Sequence, residues 1–168
     1  FSANSLRVAC DIKDDGINDI LIGAYKADVQ RATKQANSGE SYIVYGSGSA
    51  FPAVIDLGNL GAAGTVLLGI DKNDFSGYSV SDGGDINGDG IDDVIIGAYQ
   101  AKVGTAAKAG ETYAVFGSAS PGDTIDLATL NGSNGFTMTG IDKADFSGYT
   151  INGPGDINAD DYKNCDHE

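Results

Sequence analysis

The sequence predicts an all-β fold assembled from a repeated four-stranded unit, on three observations. The phrase FSGYSVSDGGDIN at 75–87 returns as FSGYTINGPGDIN at 146–158, and in weaker form stands at 1–13 as FSANSLRVACDIK. Short Val- and Ile-rich runs alternate with Gly-, Asn- and Ser-rich turns, and 10-residue amphipathic helical patterns are missing. The exception is 26–37, KADVQRATKQAN, which has room for a brief helix. Glycine is heavily over-represented at 25 residues of 168, against a usual share of about 7%.

Self-comparison sets the period. DILIGAYKADVQRATKQANSGESYIVYGS (19–47) matches DVIIGAYQAKVGTAAKAGETYAVFGS (93–118), IDLGNL matches IDLATL, and GIDKNDFSGYS (69–79) matches GIDKADFSGYT (140–150). The units therefore run 1–74, 75–145 and 146–168, two full copies and the first third of another. In the central unit the strands are expected near 77–84, 92–98, 111–117 and 135–141. Tyr78/Val80 and Tyr113/Val115 alternate, whereas Val94-Ile95-Ile96 is a continuous apolar run that predicts burial on both faces. The IDLGNL and IDLATL segments read equally as a short helical turn or an extended loop. Four strands in a period of this length predict a β-propeller blade; β-solenoid coils are much shorter.

The formal net charge of −14 argues against nucleic acid and an anionic membrane surface, both of which need a basic face. No long apolar run suggests membrane insertion. The acidity is clustered. Residues 11–19, 85–93 and 156–164 hold 11 of the 24 acids, with Gly and Asn among them. Such a composition suits a hard-cation loop, the alternative being Asx-rich turns that hold no metal. Counted from Asp85, side-chain oxygens fall at positions 1, 3, 5 and 9: Asp85, Asn87, Asp89 and Asp93. The Ile91 carbonyl adds position 7, and Gly90 at position 6 permits the bend. Ca²⁺ takes six to eight oxygens in a flexible cage, so this donor set predicts calcium. An EF-hand needs an acid at position 12, where Ile96 and Ile22 stand instead, both in predicted strands. In the first loop Asp11, Asp15, Ile17 and Asp19 keep the pattern, but Lys13 occupies position 3 and could stand in for the ion as a tethered charge. The third loop keeps Asp156, Asn158 and Asp160, with Asp161 at position 6 and Asn164 at position 9.

An FSG element, then D-x-N-x-D-G-x-x-D, then an apolar run ending in Gly-Ala, resembles the FG-GAP repeat of integrin α-subunit propellers. It is nearer still to the integrin-α-like repeats of secreted bacterial proteins. The family's proline is absent, the strands ending Gly23-Ala24-Tyr25 and Gly97-Ala98-Tyr99. The resemblance implies four-stranded antiparallel blades, about two and a third of them here, so an incomplete propeller or a fragment. It further implies an extracellular calcium-binding module for adhesion or for recognition of a protein or glycan, secreted or at the cell surface, its calcium structural. The variable loops 26–39 and 100–110 are where recognition is expected. Two other readings stand beside it: a self-assembling surface or fibre protein in which incomplete propellers associate as homo-oligomers, and a non-catalytic accessory module of a secreted enzyme.

Catalysis itself is not expected, because the one histidine, His167, lies in the tail. Cys10 and Cys165 occupy unequal repeat positions and read as free thiols rather than a pair. No signal peptide is visible, and Phe1 falls inside a repeat, so the true N-terminus is expected to lie upstream.

Overall fold

The computed structural model describes residues 4–9 and 11–153. The cysteines, the third acidic loop and the tail fall outside them. Regular structure among the described residues consists of strands and single-turn 3-10 helices, with no α-helix. The first repeat forms an antiparallel meander of β1 (Ser5–Val8), β2 (Ile20–Ala24), β5 (Glu40–Val44) and β6 (Gly64–Leu68). Between β2 and β5 lies a small hairpin, β3 (Val29–Gln30) with β4 (Lys34–Gln35). This hairpin occupies the stretch with room for a helix. Val29 is buried, and the Asp28 carboxylate accepts the Asn37 N–H at 2.8 Å, so tertiary burial and an Asx contact prevail over helical propensity. The second repeat gives β7 (Ser79–Gly84), β8 (Asp93–Ala98), β9 (Glu111–Val115) and β11 (Gly135–Thr139), again antiparallel. The two sheets do not close on themselves and form an incomplete propeller.

Strand periodicity decides which side chains meet. In β2, Leu21 points into the cluster shared with the second sheet, while Ile20 and Ile22 point to the opposite face. Leu21, Ile43 and Leu67 of the first sheet pack against Val80, Val94, Ile96, Tyr113 and Val115 of the second. Every residue of β8 is buried, as its unbroken apolar run predicts.

A fifth strand joins the first sheet in a way the antiparallel pattern does not foretell. β10 (Thr124–Asp126), from the second repeat, pairs parallel with β6: Thr124 opposite Val66, Ile125 opposite Leu67, Asp126 opposite Leu68. Arg31 grips Asp126 with both terminal nitrogens, at 2.6 and 2.7 Å, and also donates to the Gly69 carbonyl at 3.0 Å. The Thr65 hydroxyl donates to the Gly122 carbonyl at 2.6 Å. IDLATL is thus both extended and helical: the strand ends at Asp126, whose carboxylate then caps a 3-10 turn through the Ala128 N–H at 2.9 Å. IDLGNL keeps only the capped turn (Leu57–Asn59), since no strand among the described residues pairs with its extended part.

The FSG element at 75–77 lies where the sheets meet. Phe75 sits 5.7 Å from the Tyr25 ring and 5.9 Å from Tyr99, and Tyr78 lies 5.2 and 4.4 Å from the same two rings. Close approach explains the glycine of each Gly-Ala pair. A Cβ on Gly97 would stand 2.1 Å from the Gly148 carbonyl oxygen, and one on Gly23 2.1 Å from that of Gly77. Phe75 and Phe146 both adopt left-handed backbone, at φ 58° and 56°, a strain repeated at the same place in successive units.

Candidate metal centre

Residues 85–93 form a tight loop joining β7 to β8. Asp85 is its anchor, one carboxylate oxygen accepting from the N–H groups of Gly88 and Asp89 at 2.8 and 3.1 Å, the other from Gly90 at 2.7 Å. Asp89 accepts the Ile91 N–H at 2.9 Å and, on its second oxygen, the Asn87 side-chain amide at 2.9 Å. Asn87 in turn accepts the Asp89 N–H at 2.8 Å. Gly88 and Gly90 take φ of 76° and 88°, the left-handed geometry that makes the turn so sharp. Asp93, at the head of β8, is fully buried, its oxygens taken by Ile86 and Gly117 N–H groups at 2.8 and 2.9 Å.

The first loop has the same scaffold. Asp11 accepts from Asp15 and Gly16 at 2.9 and 2.5 Å, Asp15 from Ile17 at 3.1 Å, and buried Asp19 from Ile12 and Gly46 at 3.0 and 2.8 Å. Asp14 and Gly16 supply the positive φ, at 57° and 81°. The two loops also touch, the Asp92 carboxylate accepting the Asp11 N–H at 3.2 Å. Sequence reasoning passed over Asp92. Its signal is the doubled Asp at 92–93 where the first repeat has Asn18-Asp19.

The structure thus brings Asp85, Asn87 and Asp89 together and seats Asp93 beneath them, as it does Asp11, Asp15 and Asp19 in the first loop. Ile91 and Ile17 enter these networks through their N–H groups. Asp156, Asn158 and Asp160 lie outside the described residues. Among the described residues no three acidic, histidine or cysteine side chains are grouped as a metal cage, and the carboxylates of both loops accept backbone N–H groups. The donor chemistry of 85–93 nonetheless fits a hard cation. It offers oxygen from Asp85, Asn87, Asp89 and Asp93, and no sulfur or imidazole.

Electrostatics separates the two loops. Burial pushes the Asp93 carboxyl up to about 6, and Asp89 and Asp85 raise it further against the pull of its two N–H donors. Burial likewise lifts Asp92 to about 6, with Asp11 and Asp85 adding to it. Among the described residues no lysine or arginine pairs with any acid of 85–93. In the first loop Asp19 is also raised to about 6 by burial, but the Lys13 ammonium lies 2.5 Å from Asp15 and holds that carboxyl below its usual range. A cleft of about 310 Å³ opens beside the second loop, lined by Asn87, Asp89, Phe116, Ser118, Ile125 and Asn134.

Comparison with known proteins places these features. Residues 76–115 match the FG-GAP repeat model, a stretch that begins one residue into the FSG element and holds β7, the acidic loop, β8 and β9. The chain is 28% identical over 158 residues to Integrin alpha pat-2 of Caenorhabditis elegans, an alignment that covers 88% of this chain and 12% of that protein. It therefore spans about one-eighth of that relative's length. The repeat, the incomplete propeller and this likeness agree: the chain carries an FG-GAP repeat at 76–115 and is similar in sequence to an integrin α-subunit.

Proposed function

We propose that this chain is an extracellular calcium-binding FG-GAP module for adhesion or recognition, in which calcium is structural and catalysis has no part. The observation that carries the proposal is the 85–93 loop. Four aspartates are held there by a rigid backbone network, and none has a cationic partner among the described residues. A divalent ion at Asp85, Asn87, Asp89, the Ile91 carbonyl and Asp93 converts that repulsion into cohesion between β7 and β8. If it binds only the folded chain, it stabilises by about 2.7 kcal/mol at a hundredfold excess over Kd. Millimolar calcium outside cells fills weak sites, which supports a secreted or cell-surface setting, as does the likeness to an integrin α-subunit. No helix among the described residues is long and apolar enough to cross a membrane. A protein or glycan ligand is assigned to loops 26–39 and 100–110, which differ most between repeats.

Calorimetric titration of metal-stripped protein with calcium chloride is the test. Saturable binding that loses one ion per chain on Asp89→Ala supports the proposal, and absence of binding at millimolar calcium refutes it. The self-assembly reading keeps one favouring observation: among the described residues no strand covers the outer edge of β11, whereas β10 covers β6. A mass that grows with concentration in sedimentation supports that reading, and a monomer at all concentrations removes it.

A further inference from the structure

The two acidic loops are built alike, and of the three positions at which they differ, position 3 changes the charge that faces the carboxylate of position 5. Position 1 gathers the N–H groups of positions 5 and 6 in both, Asp11 from Asp15 and Gly16, Asp85 from Asp89 and Gly90. Position 9 gathers a loop N–H and one from the strand end beyond, Asp19 from Ile12 and Gly46, Asp93 from Ile86 and Gly117. Position 5 caps position 7 in both. The remaining oxygen of position 5 faces position 3. In the second loop it meets the neutral amide of Asn87 at 2.9 Å; in the first it meets the Lys13 ammonium at 2.5 Å. That ammonium also lies 5.0 Å from the centroid of the Tyr45 ring, on whose face a cation is favoured. The corresponding residue of the second repeat is Phe116.

We infer that Lys13 is a built-in cation: its ammonium takes, in the first loop, the role that calcium takes in the second, so 11–19 folds as a metal-independent copy of a metal loop. This rests on the calcium reading of 85–93. The physical reason is direct. Lysine at position 3 removes an oxygen donor and adds a positive charge where a divalent ion must come. The stem tethers that charge beside Asp15, so an incoming ion has to break the pair and overcome the repulsion. The aspartates of the first loop are thereby part-neutralised at any calcium concentration. The chain then has one loop that senses calcium beside one that does not, joined by the Asp92–Asp11 contact.

The test is calcium chloride titration of the metal-stripped full chain, read by ion count in calorimetry and by the amide resonances of Gly16 and Gly90. In the parent chain the Gly90 resonance moves to saturation and Gly16 does not follow. Lys13→Asn, which restores the second loop's residue, binds one ion more per chain, and Gly16 then moves with it. A parent Gly16 that titrates as Gly90 does, or a Lys13→Asn chain that gains no ion, overturns the inference. Metal-free melting guards against a misfolded variant. Lys13→Met lowers the midpoint, calcium does not restore it, and Lys13→Arg keeps it; a Lys13→Met midpoint equal to the parent's also overturns the inference. Asp89→Ala reports on the second loop alone, so retention of its ion refutes the calcium reading while leaving the Gly16 and Lys13→Asn results legible.

Discussion

Leu67 and Met138 occupy one place in successive repeats, fourth of five residues on the outer strand, opposite Ser41 on β5 and Thr112 on β9. Their surroundings differ. Leu67 is wholly enclosed between the sheets, while Met138 is 44% exposed, because among the described residues no third sheet covers it. Truncating Leu67 to alanine removes three carbon groups at about 0.8 kcal/mol each, roughly 2.5 kcal/mol of transfer free energy. Rigid β-strands on both sides keep the hole from collapsing, and the cavity raises the cost to about 3–4 kcal/mol. Met138→Ala opens onto water and leaves no sealed cavity, so its cost stays under about 1 kcal/mol. At about 2–4 °C per kcal/mol for a chain of this size, Leu67→Ala melts roughly 6–16 °C lower and Met138→Ala under about 4 °C lower. Urea and thermal unfolding followed through the eight tyrosines measure both. Equal losses, or a larger loss at Met138, would refute the assignment of the interface between the sheets.

Arg31→Met leaves Asp126 without its partner and costs about 1 kcal/mol; a double-mutant cycle with Asp126→Asn that returns no coupling would remove the clamp. Gly97→Ala drives a Cβ to 2.1 Å from the Gly148 carbonyl oxygen, and backbone that must move costs more than about 2 kcal/mol. Gly122→Ala, whose nearest neighbour stands at 3.7 Å, stays within about 0.5 kcal/mol in the same denaturant titration, and parity of the two would be the wrong result. Asp74 is buried, and that burial, with Asp71 and Glu111 near, lifts its carboxyl to about 7. Its contribution to stability is full below the unfolded carboxylate value of about 4 and is lost as pH rises through about 7. Metal-free protein therefore melts lower at pH 8 than at pH 5, and Asp74→Asn reduces the difference; an unchanged difference counts against this account.

The sequence was most legible where one residue type has one physical use. Period-2 alternation at Tyr113/Val115 and the unbroken run at Val94-Ile95-Ile96 placed β9 and β8 to within about two residues at either end. The acidic loops were visible because Asp, Asn and Gly recur at fixed spacing in both repeats. Long-range pairing was not visible. Nothing in TIDLATL says that its first half will lie parallel to β6, because the pairing depends on Val66 and Leu67 presenting a bare edge and on Arg31 arriving from a hairpin. The same hairpin was missed because Val29 is drawn inward by tertiary burial, which local pattern does not carry. Asp92 went unnoticed since its partner, the Asp11 N–H, lies 81 residues away.

β10 puts the repeat of the sequence and the unit of cohesion out of phase. The motif runs from phenylalanine to phenylalanine, yet the first sheet is finished only by residues 124–126. An excised fragment ending at 74 leaves the β6 edge bare and Arg31 facing solvent, and one beginning at 75 carries β10 with nothing to pair with. Neighbouring repeats that interlock in this way lose their independence. A cut that keeps the first sheet whole falls after Asp126, inside the second motif, rather than at the Phe75 boundary an alignment would draw, and a protease that nicks 118–123 loosens the sheet before it rather than the one it belongs to.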